Sequence, residues 1–371
     1  MIKTIITLII VLLLVFLVYF FYLLSNKKNT LNTNKNTTFD ELIQNNNLFK
    51  DGNDALKSHN YKDAVDLFNK SRDISKNPDE LAQIDYKIAL SQEFLLNKTD
   101  SITLFKKIAN NLSYPAKTRS YSVLHMTRML SDYPDETKDI KGILISTEPY
   151  NSIIGLDKSS PNVREKLYAY SLQIWPELLP AKTFLADLYS LNLFLRYNKK
   201  EISSEDLKNE QLKIEKLLDN LDTPITDFEK LEDEKLFLGN IYTERALAIG
   251  YIYATGDKKY GDPKPYFQKA LDYSTLSKEG EARTRYLYAA YLSTTNSKET
   301  ILGNASLKNE ILETLKPIYS NESYTGTIRV RSIIAEKNNL VGYKNSIIRL
   351  ANIDDNFKKF LISNGWRTSD F

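Results

Sequence analysis

The stretch HNYKDAVDLFNKSRDIS, residues 59–75, decides the fold that the sequence predicts. Tyr61, Ala64, Phe68 and Ser71 follow one another at steps of three or four residues. Residues with this spacing share one face of an α-helix. A small side chain lets a second helix approach that face, and an aromatic ring fills the space beside the contact. The pattern therefore predicts a packed helix pair.

Composition bounds the class of protein. The chain has 371 residues, enough for two average domains or one elongated repeat structure. Lys and Arg number 50 against 47 Asp and Glu, so the basic excess typical of nucleic-acid binders is missing and we expect no nucleic-acid partner. The absence of cysteine excludes a disulfide framework and thiolate metal sites.

The N-terminal segment is strongly apolar. Ile5–Leu24 carries no charge and has about the 20 residues that a helix needs to cross a bilayer. Tyr19 and Tyr22 lie toward its end, where amphipathic rings favour the membrane interface. A cleaved signal peptide is the alternative, but its apolar region is shorter and ends in small residues. We expect residues 1–25 to form an uncleaved transmembrane signal anchor.

The orientation of this anchor is predicted from two opposing signals. The lysines after the apolar run favour a C-terminal side that stays inside the cell, whereas a very short tail with one lysine is typical of a signal anchor whose N-terminus is inside. Long C-terminal domains also translocate largely regardless of charge. We expect a single-pass protein of the cell membrane with an extracytoplasmic body; a cytoplasmic, membrane-docked adaptor is the alternative.

The remainder divides into a linker and a helical body. Residues 26–39 are rich in Asn, Lys and Thr and cannot bury enough apolar surface to fold, so they predict a flexible linker. Within residues 40–371 apolar side chains recur at helical steps, as in Leu81–Leu96, Phe184–Tyr197 and Ile241–Ala254. Period-two runs typical of strands do not stand out. The predicted body is all-α.

The helix-pair pattern resembles the tetratricopeptide repeat family. That family places a small residue on its first helix, here Gly52, and then a turn aromatic, an alanine, an aromatic and a small residue, here Tyr61, Ala64, Phe68 and Ser71. The resemblance implies an α-solenoid of antiparallel helix pairs, in this chain preceded by one transmembrane helix.

Further copies resemble the same pattern. Gly250 and Tyr253 match the first helix, and Phe267 and Ala270 match the second, with one extra residue in the intervening turn. A weaker copy places Phe105 at the position of the second-helix aromatic. The aromatic spacing is thereby explained by packing, without a catalytic role.

Motifs that carry chemistry are scarce. The only histidines, His59 and His125, are too few for a multi-histidine metal site. Gly256–Pro263, GDKKYGDP, has the glycine spacing of a P-loop but ends in Asp and Pro where lysine and a hydroxyl are required, so it predicts a turn. The acidic stretch Asp227–Lys235 favours a solvated, ion-paired face. We expect no enzyme activity and no catalytic, cofactor or metal residues.

Partner recognition is predicted from the resemblance. Some family members hold a C-terminal carboxylate with a clamp of lysine and asparagine. This chain keeps Asn53 but has Phe49 and Lys87 at two other clamp positions, so that ligand is not implied. Asn53, Lys57 and Tyr251 are the residues expected to bind a partner on the inner surface of the repeats. Phe49 is expected either there or between helices.

The function predicted is a membrane-anchored scaffold that binds another protein or a peptide, in a bacterial cell envelope. The alternative is an extracytoplasmic enzyme or solute-binding protein with a helical body. A deep, closed pocket with converging charged groups would favour the alternative, and an open concave surface would favour the scaffold.

Overall fold

A computed structural model describes residues 46–132, 163–219, 235–274, 278–326 and 343–371, with Val330 and Ile333. Within these ranges the chain is all-α and contains no strand, as the sequence predicts. No helix in the same ranges is both long and apolar enough to span a bilayer. The predicted anchor, the predicted linker and residues 227–234 of the acidic stretch lie outside the described residues.

The chain divides into two compact units, whose boundary in the sequence falls between Ser91 and Gln92. The first unit contains α1 (Asn47–Lys57), α2 (Tyr61–Ile74) and most of α3 (Pro78–Phe94).

The described helices of the second unit follow one another through short connections or undescribed segments. They are α4 (Lys98–Asn110), α5 (Ala116–Asp132), α6 (Val163–Ile174), α7 (Leu179–Asn198), α8 (Ser204–Leu218), α9 (Lys235–Ala254), α10 (Lys264–Ser274), α11 (Lys278–Thr295), α12 (Lys298–Gly303), α13 (Ala305–Ser320), α14 (Glu322–Thr325), α15 (Tyr343–Ala351) and α16 (Asp355–Ser363), followed by a short 3-10 turn.

Helices α1 and α2 form the pair that the opening stretch predicts. Asn46 caps α1, because its side-chain Oδ1 accepts a hydrogen bond from the backbone N–H of Phe49 at 3.0 Å. The side-chain Nδ2 of Asn46 donates to Ser71 Oγ at 2.9 Å. A β-carbon at Gly52 would lie 2.7 Å from the Phe68 ring, so only glycine permits this approach. Phe68 is fully buried, which confirms its predicted packing role.

The predicted second-helix face of α4 is also buried. Ser101, Phe105 and Ile108 have at most 1% of their surface exposed. The Phe105 ring stacks on the His125 imidazole of α5, with the ring centroids 4.8 Å apart. The weaker copy is therefore a packed helix face, as expected.

Aromatic side chains fill the core around α9, which packs against α7, α10 and α11. Phe267 of α10 is fully buried and stacks on Tyr288 of α11, with centroids 4.4 Å apart. A β-carbon at Gly250 would lie 2.6 Å from the Tyr291 ring of α11. Gly250 on α9 therefore packs against a ring from α11, which lies beyond its own helix pair. Gly52 instead packs against Phe68, the aromatic residue of its own pair.

The glycine-rich segment between α9 and α10 is a turn, as predicted. Gly256 and Gly261 have φ of 98° and 75°, values that L side chains rarely adopt. Asp262 accepts a hydrogen bond from the Lys264 amide at 2.9 Å and so helps to start α10. Lys259 binds Glu215 of α8 at 2.8 Å, which fastens the turn to that helix.

Candidate functional site

Of the predicted partner-binding residues in the first unit, only Lys57 is exposed. Asn53 keeps 3% of its surface exposed, and its amide donates to the Phe49 carbonyl at 2.9 Å. The expectation that Asn53 faces solvent is wrong, because a backbone carbonyl of its own helix satisfies the amide inside the packed pair. Phe49 is fully buried, which agrees with its alternative place between helices.

Tyr251, the third predicted partner-binding residue, lies in the core of the second unit. It is 7% exposed, and its ring lies 5.4 Å from Phe194 and 5.7 Å from Tyr291, measured between centroids. The expectation that it faces an open surface is wrong. The physical reason is that helices α7, α10 and α11 surround α9.

The structure instead brings together a set of polar side chains in the second unit, which we call the carboxyl cluster: Asp187 of α7, Asn240 and Glu244 of α9, and Arg283 of α11. Glu244 has 5% of its side chain exposed and forms an ion pair with Arg283. Arg283 also donates to Asn240 Oδ1 at 3.4 Å. One guanidinium from α11 thus holds two residues one turn apart on α9.

Asp187 completes the cluster from α7. Helix α7 packs against α9, and the charge of Glu244 acts on the Asp187 carboxyl group. The Oδ1 atom is shielded from solvent and accepts no hydrogen bond from the described residues. Burial raises the pKa of Asp187 well above its usual range, and the Glu244 charge raises this pKa further, while Arg283 and Arg164 oppose the shift.

This arrangement can hold a proton on a carboxyl group at a pH where exposed carboxyl groups have lost theirs. A carboxyl group of this kind is suited to general acid–base chemistry when a substrate can reach it. The burial of Glu244 restricts such access.

A second buried carboxylate, Glu93, has a lowered pKa, whereas the pKa of Asp187 is raised. Glu93, at the end of α3, pairs with Arg128 of α5 and lies 3.2 Å from His125 Nδ1. Burial alone would raise the pKa of Glu93, but the charge of Arg128 and the hydrogen bond and charge of His125 outweigh burial and lower it to about 2. The geometry gives His125 a packing and ion-pairing role within the helix bundle.

Sequence reasoning identified neither Glu244 nor Glu93 as a buried carboxylate, although one local signal pointed to Glu244. Glu244 and Arg245 interrupt the apolar run Ile241–Ala254, and a charged residue inside a helix that is apolar all round must be paired when it is buried. Its partners, Asp187 and Arg283, are far away in sequence. Their identity depends on how the helices pack.

Nowhere in the described ranges, the carboxyl cluster included, is a group of three or more His, Asp or Glu side chains placed to hold a metal ion. Comparison with known proteins adds no relative: no protein-family model, no curated protein and no solved structure matches this chain.

Proposed function

We propose that this chain is a membrane-anchored scaffold with tetratricopeptide-like repeats, which binds another protein through its helical surface. The observation that carries the proposal is a helix glycine covered by a buried aromatic ring, which occurs once within a helix pair and once between a pair and the helix after it. Gly52 receives Phe68, and Gly250 receives Tyr291. Helix pairs that pack on their neighbours in this way build extended surfaces, and such surfaces commonly bind protein partners.

The exposed face of α1 is the partner surface that we propose. Lys50, Asp54 and Lys57 are exposed and recur at steps of three or four residues along it. The opposite face, with Gly52 and Asn53, is buried. A face of alternating charge favours a polar or charged segment of the partner over an apolar helix.

Membrane attachment through residues 5–24, and an extracytoplasmic body in a bacterial envelope, are part of the same proposal. They are supported by the length of the uncharged run Ile5–Leu24 and by the absence of a small-residue cleavage site after it.

An extracytoplasmic enzyme or solute-binding protein is the second candidate. The raised pKa of Asp187 favours it, because carboxyl groups with perturbed pKa values concentrate at functional sites. The enclosure of Glu244 weighs against it. The scaffold remains the better-supported proposal.

Protease treatment of intact cells, followed by chemical crosslinking and mass spectrometry, tests the scaffold and its orientation together. We expect external protease to digest the body, and we expect the lysines of α1 to crosslink to one recurrent protein. A protected body would overturn the extracytoplasmic orientation. Crosslinks within the chain alone would overturn the scaffold proposal.

A further inference from the structure

Helix α8 is docked through its C-terminal half. Ile214 and Leu218 are the only buried side chains among its 15 residues, and neither belongs to the aromatic core around α9. The first turn, residues 204–206, is exposed. An element with so few buried apolar contacts opens at a low free-energy cost. The polar contacts of this half therefore decide how firmly α8 is held.

A row of polar side chains joins this half of α8 to the turn between α9 and α10. Gln211, Glu215 and Asp219 stand four residues apart, so they lie along one face of the helix. Gln211 Nε2 donates to Thr255 Oγ1 at 3.1 Å. Lys259 Nζ donates to Glu215 Oε2 at 2.8 Å and to Asp219 Oδ1 at 3.0 Å. We call these contacts the polar seam.

Tyr260 adds a further link beside Lys259. Its hydroxyl group donates to Asp219 Oδ1 at 2.7 Å and lies 3.2 Å from the backbone carbonyl oxygen of Glu215. An isolated ion pair at the surface contributes little to stability, whereas several charges in a network contribute more. Here two carboxylates share one ammonium group, and one of them also accepts from a hydroxyl group. The seam is therefore stronger than a single surface ion pair.

The turn is also fixed on its own side. Asp257 Oδ1 accepts a hydrogen bond from the Lys259 amide at 2.9 Å, and the Tyr266 hydroxyl group of α10 donates to the Tyr260 carbonyl oxygen at 3.2 Å. Groups that are already ordered lose less conformational entropy when they form a contact. Lys259 and Tyr260 are thus held in place to receive α8.

We propose that the polar seam is a salt-sensitive clasp, which keeps the C-terminal half of α8 docked and releases it when its ion pairs are broken. The side chains of Lys259 and Asp219 are 41% and 43% exposed, so dissolved ions can screen their charges. Opening of the clasp uncovers Ile214 and Leu218. The aromatic core around α9 stays folded, because it contains neither side chain.

Hydrogen–deuterium exchange of the full-length chain in detergent tests the clasp, with Lys259→Gln as the main variant. Glutamine removes the charge at an exposed position. We expect the amides of residues 211–218 to exchange about two- to fivefold faster than in the wild type, because partly exposed ion pairs make modest contributions. Lys258→Gln is the matched control. Lys258 Nζ donates to the Tyr253 carbonyl oxygen at 2.9 Å rather than to α8, so exchange in α8 should stay at the wild-type rate.

Salt and a charge exchange provide the second measurement. Raising NaCl from about 0.05 M to about 1 M should speed exchange of the same amides more in the wild type than in Lys259→Gln. Asp219→Lys alone should also speed it, and combination with Lys259→Asp, which restores opposite charges, should slow it again. Equal exchange in wild type and Lys259→Gln, an equal rise in Lys258→Gln, an equal salt response, or no recovery in the double variant would overturn the proposal.

Discussion

The α-carbon of Gly52 lies so close to the Phe68 ring that a β-carbon there would be 2.7 Å from Cε1. The ring itself is fully buried and lies 5.5 Å from the Phe49 ring, measured between centroids. A glycine on one helix and an aromatic ring on the next therefore set the distance between α1 and α2.

Gly52→Ala should destabilise the α1–α2 pair, because the added methyl group has to displace a buried ring. Overpacking of this kind costs about 1–3 kcal/mol. Gly303→Ala is the matched control, since a β-carbon there meets nothing within 4 Å. In a helix the control change should be neutral or stabilising by up to about 1 kcal/mol. Denaturant unfolding of both variants measures the difference, and equal effects would show that the close approach does not matter.

Tyr251→Ala should lower the free energy of unfolding, contrary to its predicted place on a binding surface. Loss of a buried ring in contact with Phe194 and Tyr291 costs about 3–5 kcal/mol. Lys57→Ala, at an exposed position, should change stability by no more than about 0.5 kcal/mol. Thermal unfolding of the two variants would contradict this account if Tyr251→Ala melted like the wild type.

The α1–α2 pair could be predicted because its signals are local. Gly52, Ala64 and Phe68 occupy a short stretch, and helical spacing alone places the latter two on one face. The place of Tyr251 was predicted wrongly because the repeat alignment assigned it to an inner face. The apolar character of α9 on all sides was the better guide, since helices of that kind are buried.

The carboxyl cluster could not be predicted in the same way. Asp187 and Glu244 belong to different helices, and their proximity follows from the packing of α7 on α9. The register of the second repeat copy is a similar case. The spacing predicted that Gly250 and Phe267 belong to one pattern, but only the packing of α11 reveals that Tyr291 occupies the space above Gly250.

Glu93→Gln should change the acid sensitivity of the second unit. The folded pKa of Glu93, about 2, lies below the usual value of 4.5, so its stabilising contribution is present above pH 4.5 and is lost as pH falls toward 2. The glutamine variant leaves Arg128 and His125 without this charge, and breaking a buried pair costs about 3–5 kcal/mol at neutral pH.

This difference between wild type and Glu93→Gln should shrink on acidification. Thermal unfolding of the wild type and the variant over a pH series measures this difference. A gap between the two melting curves that stays constant down to about pH 2 would contradict the assigned ion pairing.

Position-specific photo-crosslinking in intact cells tests the central claim, that the exposed face of α1 binds a partner protein. A photoreactive residue would replace Lys57 in one strain and Asp66, on α2, in another. We predict a single recurrent protein adduct at position 57, little or none at position 66, and loss of the adduct at position 57 when Lys50→Glu reverses a charge on the same face. The absence of any protein adduct at position 57, or an equal yield from both positions, would contradict the account.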